Sequence, residues 1–174
     1  MGLKGIILAR SNQGKCREIQ KAFAAAAMPV EIVVQSQLGI DDAEETETTF
    51  VGNALLKVRH ASQHGQLPAL ADDSGLAVDA LNGAPGIYSA RYAGESADPQ
   101  ANMRKLLAEL HGRSESDRHA YFYCAMVLVL SVDDPAPLIA TGRWHGTILE
   151  SPQGDGGFGY DPLFGVSDPG RPCS

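Results

Sequence analysis

Cysteine, tryptophan and positive charge are all scarce in this 174-residue sequence. Its three cysteines, Cys16, Cys124 and Cys173, lie far apart and form no C-x-x-C pair. This pattern argues against a zinc site or a disulfide framework and fits a reducing compartment. Lysine and arginine number 14 against 21 aspartates and glutamates, which gives a formal net charge of −7. That balance argues against a nucleic-acid partner, although a local basic pocket or a metal can still hold a small anion.

Long apolar runs are absent as well. The longest run, residues 124–130, is too short to span a bilayer, and the N-terminal run is too short for a signal peptide. Position 6 is Ile6, where an N-myristoylation motif requires Ser or Thr. We therefore expect a cytoplasmic protein without a membrane partner.

Strand and helix patterns alternate along the first two thirds of the chain. The run GIILAR predicts a buried strand, and a helix with apolar residues at helical spacing follows until Pro29. VEIVVQ, PALADD and LAVDAL predict further strand pieces, and helices are expected at about 48–64 and 99–110. Two long apolar segments then flank DDPAP and predict a hairpin. The length favours one domain, an α/β protein with a mixed sheet that is compatible with two lobes.

The segment SNQGK stands between the first strand and the first helix. Its five residues are Ser11, Asn12, Gln13, Gly14 and Lys15. A helix N-terminus attracts phosphate through its unpaired N–H groups and positive dipole end, and Lys15 adds a full charge. An ordinary helix cap at Ser11 or Asn12 explains the segment equally well.

An acidic run, DDAEETE, occupies residues 41–47 and precedes Lys57. Charge runs are usually solvated loops, but Mg²⁺ commonly takes one or two carboxylates together with substrate phosphate oxygens. One acid of the run is therefore a candidate to join a metal with the pair Asp72–Asp73. Lys57 either points its ammonium into a cleft or is an ordinary exposed helical lysine.

Asp72 and Asp73 are adjacent within an apolar strand pattern. Neighbouring side chains of a strand face opposite sides, so the two acids can face one cleft only if the strand ends between them, which the following Ser74 and Gly75 make possible. We expect one acid to face a site and the other to bond backbone or a basic side chain. Two unpartnered acids would carry a desolvation cost there, so a metal or a base is the expected partner.

The segment GGFGYDP, residues 156–162, carries two aromatic side chains between glycines. Phe158 and Tyr160 have flat faces suited to stacking on a base, or they complete the core beside a glycine-rich turn. These features together predict a pocket for a nucleoside phosphate: a helix start that can bind phosphate, an acidic metal site, a lysine and an aromatic loop.

Four segments in order, SNQGK, TFVGNALLK, ADDSGLAVDALNGAPGIYSARYAG and GGFGYDPLF, resemble the inosine triphosphate pyrophosphatase family. The similarity extends from about Gly5 to Phe164. It implies Mg²⁺-dependent hydrolysis of deaminated purine nucleotides, dITP, ITP or XTP, to the monophosphate and pyrophosphate, which cleanses the nucleotide pool. It also implies an elongated mixed central sheet flanked by helices, two lobes with the active-site cleft between them, and a homodimer.

The resemblance also implies roles for individual residues. Asp73 would activate the attacking water and bind metal with Glu44 or Glu45, between which the sequence does not choose. SNQGK and Lys57 would hold the triphosphate, and Ser74 would contact substrate. The base pocket would be lined by Phe158, Gly159, Tyr160 and Asp161.

The sequence departs from the family pattern at several places. Arg10 replaces the usual Thr or Ser, Glu47 a usual Gly, and Gly52 a usual Glu. After about residue 166 the chain lacks the family's further lysine and Ser-His-Arg segment. Two alternatives follow from these observations: a catalytically weak nucleotide-binding form, or a related pyrophosphatase acting on modified pyrimidine or other nucleotides, which the central motif disfavours.

Overall fold

The structure is a computed structural model that describes residues 5–10, 13–28, 30–96, 98–154, 157 and 159–166. The chain divides into two compact units. Unit 1 comprises Met1–Asp73 and Ala125–Thr141, and unit 2 comprises Ser74–Cys124 and Gly142–Ser174. The single domain expected from the length stays a prediction, as does the cleft between lobes.

Six strands form one sheet within the described residues, in the order β2-β1-β3-β4-β5-β6. They are β1 Gly5–Leu8, β2 Glu31–Val34, β3 Ala69–Val78, β4 His119–Val129, β5 Leu138–Ile148 and β6 Phe164–Gly165. Strand β1 pairs in parallel with β2 and β3, whereas β5 and β6 are antiparallel. The predicted mixed sheet of an α/β protein is therefore confirmed.

The three α-helices of the described chain begin and end close to the predicted positions. They are α1 Gln13–Ala25, α2 Phe50–Gly65 and α3 Pro99–Glu109. Thr49 caps α2 because its Oγ1 accepts a hydrogen bond from the Gly52 N–H at 3.0 Å. Asp98 caps α3 in the same way, and Pro99 follows at a position where its missing N–H costs nothing. None of the described helices is long and apolar enough to cross a membrane.

Each unit has its own apolar core. In unit 1, helix α2 buries Ala54, Val58 and Ala61 completely against strand residues such as Ile7 and Ala71. In unit 2, the second half of β3 and helix α3 contribute to a core with the segment around β6. That core contains Leu76, Val78, Leu106, Leu110, Ala120, Ile148, Tyr160, Leu163 and Phe164. Ala54, Val58 and Ala61 follow one another at spacings of four and three residues, so they lie on one face of the helix.

Several strand boundaries differ from those predicted, and β1 ends at Leu8, two residues before the end of GIILAR. PALADD and LAVDAL are not separate pieces, because β3 continues through Ser74 and Gly75 without a break. Every described residue of β3 except Ser74 is buried, so the packing of both faces keeps the strand extended despite its glycine. VEIVVQ ends one residue early, since Gln35 begins a short 3-10 helix that runs to Leu38.

Replacing Leu106 by alanine should destabilise the protein by about 2–5 kcal/mol, because its fully buried side chain leaves a cavity in the core of unit 2. Urea denaturation followed by circular dichroism measures this loss. Leu138 is the matched control, since it is 68% exposed and its change to alanine should stay within about 0.5 kcal/mol. Equal losses for the two variants would contradict the assignment of this core.

Candidate active site

Asp72 and Asp73 are both buried in β3, with exposures of 7% and 8%, but they contact different partners. Asp72 forms ion pairs with Arg10 and Lys15, whereas Asp73 contacts Lys57 and Asn53. This division follows from strand geometry, which directs neighbouring side chains to opposite faces. The prediction that one acid has a basic partner is confirmed, and the possibility that the strand ends between them is wrong.

The partners of Asp72 come from the β1 end and the first turn of α1. The parallel register sets Leu8 beside Leu70, so two residues further on Arg10 comes beside Asp72. Lys15 approaches from α1 and places its Nζ 3.9 Å from Asp72 Oδ2. The structure therefore joins the end of the SNQGK segment to the acidic pair through Asp72.

The structure shows less about the other four residues of SNQGK. Gln13 begins α1 and Gly14 is exposed in its first turn, while Ser11 and Asn12 lie outside the described residues. The exposed Gly14 leaves its backbone accessible, as an anion at a helix N-terminus requires. Phosphate binding by this segment stays a prediction.

Lys57 connects the acidic run to Asp73. Its Nζ is 2.8 Å from Asp73 Oδ1 and 2.5 Å from Glu45 Oε1, and its side chain is only 18% exposed. The interpretation of Lys57 as an ordinary exposed helical lysine is therefore wrong. One ammonium balances two carboxylates that reach it from different parts of unit 1.

Residues 41–47, hereafter the acidic loop, contain no helix or strand. Glu44 is exposed, whereas Glu45 is partly buried and turns toward Lys57. The structure thus separates the two glutamates that the sequence left equivalent. Most acids of this run are exposed to solvent, as expected, but Glu45 is partly buried and paired with Lys57.

The pKa of Asp73 is raised above its ordinary value, chiefly because burial disfavours the charged carboxylate. The hydrogen bond and charge of Lys57 oppose this shift, and the nearby charge of Glu45 adds to it. A carboxylate with a raised pKa accepts a proton more readily than an exposed one, while Lys57 still supports its ionised form. Such a balance suits a general base.

The carboxylate oxygens around Lys57 Nζ are of the type that binds a hard cation. The ammonium already occupies a position between Glu45 and Asp73, which shows that two carboxylates converge where positive charge is stabilised. Mg²⁺ prefers oxygen ligands and commonly takes one or two carboxylates, with the remaining positions filled by water or substrate phosphate. No cluster of three or more His, Cys, Asp or Glu suited to a metal occurs among the described residues. Glu45 and Asp73 supply two carboxylates of the kind that Mg²⁺ takes, and metal binding by them stays a prediction.

The glycine-rich segment near the C-terminus is only partly described. Tyr160 is 4% exposed in the core of unit 2, and its hydroxyl donates a hydrogen bond to the Ser89 carbonyl at 2.9 Å. Of the two interpretations, core packing therefore describes Tyr160. Phe158 lies outside the described residues, Gly159 has φ = 62°, and Asp161 is exposed. Base recognition by these residues and substrate contact by the partly buried Ser74 stay predictions.

Comparison with known proteins decides the family. Residues 6–173 match the model of the Ham1 family. The chain belongs to the Ham1 family. It is 50% identical to a dITP/XTP pyrophosphatase of Shigella flexneri over 97% of this chain and 85% of that protein. It is 54% identical to a dITP/XTP pyrophosphatase of Xanthomonas oryzae pv. oryzae, over 93% of this chain and 80% of that protein.

Solved structures of Ham1 proteins share the fold. The Ham1 protein of Coxiella burnetii superposes with a TM-score of 0.91 at 43% identity, covering 98% of this chain and 86% of that one. A structure from Mycobacterium abscessus described as nucleoside-triphosphatase / dITP/XTP pyrophosphatase gives a TM-score of 0.82 at 37% identity, over 97% and 86% of the two chains. The resemblance drawn from the four motifs is confirmed.

Sequence reasoning gave no role to Asn53, although this residue lies within the Ham1 motif TFVGNALLK. Its side chain is fully buried and contacts both Asp73 and the backbone of the acidic loop. The signal available was its spacing, because Asn53 and Lys57 are four residues apart and therefore share one helix face. Gly52 and Glu47, two residues that depart from the family pattern, lie close together in the structure. A Cβ on Gly52 would lie 2.8 Å from Glu47 Cβ.

Without metal, the free energy of unfolding of the Asp73→Asn variant should increase relative to that of the wild type as the pH rises. The raised pKa means that the folded protein holds the Asp73 proton at a pH where the unfolded chain has released it. Wild-type stability from this group is therefore complete below the ordinary value of 3.8 and is lost as the pH rises through the higher folded value.

Urea denaturation between pH 4 and pH 8 in the presence of a chelator measures the difference. Asp133→Asn at an exposed loop position controls for the loss of one negative charge. A difference between Asp73→Asn and wild type that stays constant or shrinks with rising pH would contradict the assigned direction.

Proposed function

We propose that this chain is a nucleoside-triphosphate pyrophosphatase that hydrolyses dITP, ITP or XTP to the monophosphate and pyrophosphate. The observation that carries the proposal is the buried Asp73, which has a raised pKa and shares the ammonium of Lys57 with Glu45. The names of the relatives, dITP/XTP pyrophosphatases about half identical over nearly the whole chain, support the choice of substrate.

Asp73 acts as the general base. It takes a proton from a water molecule, whose oxygen forms a new bond to phosphorus while the phosphoanhydride bond between the α- and β-phosphates breaks. Pyrophosphate leaves with the electron pair of that bond. Lys57 and Asn53 hold the two carboxylate oxygens of Asp73, which fixes the direction from which the proton is accepted.

Mg²⁺ would be held by Glu45 and Asp73, and when bound it supplies positive charge that neutralises the phosphates. The residues of the chain supply the rest. Lys57 contributes a cation that the triphosphate can contact. Lys15 brings a second cation to the first turn of α1, where the helix dipole also favours negative charge. Local positive charge of this kind allows a protein with a net charge of −7 to bind a polyanion.

Hydrolysis is favoured over nucleotide binding alone. The relatives named dITP/XTP pyrophosphatases support this choice, and the contacts of Glu45, Asn53, Lys57 and Asp73 within unit 1 are compatible with a positioned base. Base recognition by Phe158, Gly159 and Asp161, with Tyr160 packed in the core behind them, belongs to the same proposal, as do cytoplasmic location and a homodimer. The family resemblance supports all three.

Incubation of the chain with dITP and Mg²⁺ should release pyrophosphate, whereas dATP should react far more slowly and a chelator should abolish the release. Pyrophosphate is measured with a coupled assay at several nucleotide concentrations. Asp73→Asn should lower kcat by about 100- to 10,000-fold, because a positioned general base contributes that much, while binding of dITP changes less. No release from dITP would refute the proposed function, and equal rates with dATP would refute the selectivity.

Glu45→Gln should raise the Mg²⁺ concentration required for half-maximal dITP hydrolysis by about tenfold or more, since even outer-shell partners of metals contribute about 10- to 100-fold to affinity. Glu44→Gln is the matched control, because it makes the same chemical change one residue away on an exposed side chain. Equal Mg²⁺ requirements in the two variants, or a larger change in Glu44→Gln, would show that Glu45 is not the ligand.

A further inference from the structure

We infer that Asn53 is a positioning residue, which holds the acidic loop against Asp73 and thereby sets the separation of the Glu45 and Asp73 carboxylates. This inference rests on the proposed function, because those two acids are the pair assigned to Mg²⁺.

The side-chain amide of Asn53 is used at both ends. Its Oδ1 accepts a hydrogen bond from the Glu47 backbone N–H at 3.0 Å, and its Nδ2 donates to Asp73 Oδ2 at 3.4 Å. Asn53 is 0% exposed, so water cannot replace either partner. A buried amide that loses its partners is strongly disfavoured, and the loop and the acid are therefore held in one arrangement.

Gly52 makes room for this contact. A Cβ at that position would lie 2.8 Å from Glu47 Cβ and 3.0 Å from Thr49 Oγ1, so the acidic loop passes directly over the first turn of α2. With any side chain at position 52, Glu47 has to move away from the helix. Its N–H would then leave Asn53, and Glu45, two residues earlier, would move with it.

Asn53 and Lys57 hold the same two elements by different means. Lys57 bridges Glu45 and Asp73 through its charge, which a metal or a triphosphate would compete for. Asn53 is neutral and bonds the loop through its backbone, so its contact does not depend on which cation stands between the acids. The amide can therefore keep the two carboxylates in place after Lys57 turns to the substrate.

Asn102 in unit 2 provides a matched control. It is 4% exposed on helix α3, its Oδ1 accepts from Ala93 N–H at 2.7 Å, and its Nδ2 donates to the Ala90 carbonyl at 3.0 Å. The two asparagines are therefore structurally comparable, because each uses both ends of its amide to bond segments outside its own helix. Only Asn53 has a carboxylate as a partner.

The test compares Asn53→Ala with Asn102→Ala in the full chain. Calorimetric titration with Mg²⁺ alone should show about 10- to 100-fold weaker binding for Asn53→Ala, the usual effect of losing an outer-shell partner. Asn102→Ala should bind Mg²⁺ like the wild type, even where its melting temperature falls as far. Unchanged Mg²⁺ binding in Asn53→Ala, or an equal loss in Asn102→Ala, would overturn the inference.

A second pair of variants avoids the risk that Asn53→Ala fails to fold. Gly52→Ala favours the helix intrinsically, yet it should weaken Mg²⁺ binding because its Cβ displaces Glu47. Adding Glu47→Gly removes the colliding Cβ and should restore binding. Gly142→Ala is the control, since no atom lies within 4 Å of its added Cβ. Wild-type binding by Gly52→Ala, or no recovery in the double variant, would refute the positioning role.

The two proposals fail in different ways. Wild-type protein that binds Mg²⁺ but releases no pyrophosphate from dITP would refute the function and leave the Mg²⁺ titrations to judge Asn53. Wild-type hydrolysis with equal Mg²⁺ binding in every variant would refute the positioning role alone. Wild-type protein that binds no Mg²⁺ would refute the positioning role, because the two acids would then hold no metal.

Discussion

The ammonium of Lys57 between the carboxylates of Glu45 and Asp73 is the interaction on which the candidate site depends. A buried carboxylate without a partner is expensive, and here two acids converge in one place. Lys57 offsets part of that cost at both of them, so Asp73 can stay buried in the strand even though burial raises its pKa. Buried ion pairs contribute little net stability, so we interpret this arrangement as serving function more than folding.

The second acid of the pair shows how the fold separates two tasks. Asp72 points away from Asp73 because they are neighbours in an unbroken strand, and the parallel register of β1 and β3 brings Arg10 beside it. Asp72 thereby links the start of helix α1, with Lys15, to the strand that carries Asp73. A one-residue shift in that strand would exchange the partners of both acids. The apolar residues that bury β3 on both sides prevent such a shift.

Much of the fold was predictable from local patterns, whereas the site was predictable mainly in its residue types. Helices α2 and α3 were predicted at about 48–64 and 99–110, close to their observed bounds, because helix-forming patterns are local in sequence. Glu44 and Glu45 could not be separated, since neighbouring residues of a loop have no periodicity. Asn53 received no role for a related reason: its two partners, Glu47 and Asp73, approach it only once the helix is packed.

The sequence by itself determined that this is an α/β protein with a mixed sheet, and its motifs identified the family, because periodicity and motif order survive in one dimension. It also predicted different surroundings for Asp72 and Asp73, because neighbouring side chains of a continuous strand face opposite sides. Only the tertiary structure decided which partners they have, that Glu45 and not Glu44 reaches Lys57, and that Gly52 leaves space for Glu47. Those contacts join residues distant along the chain, and packing and register alone bring them together.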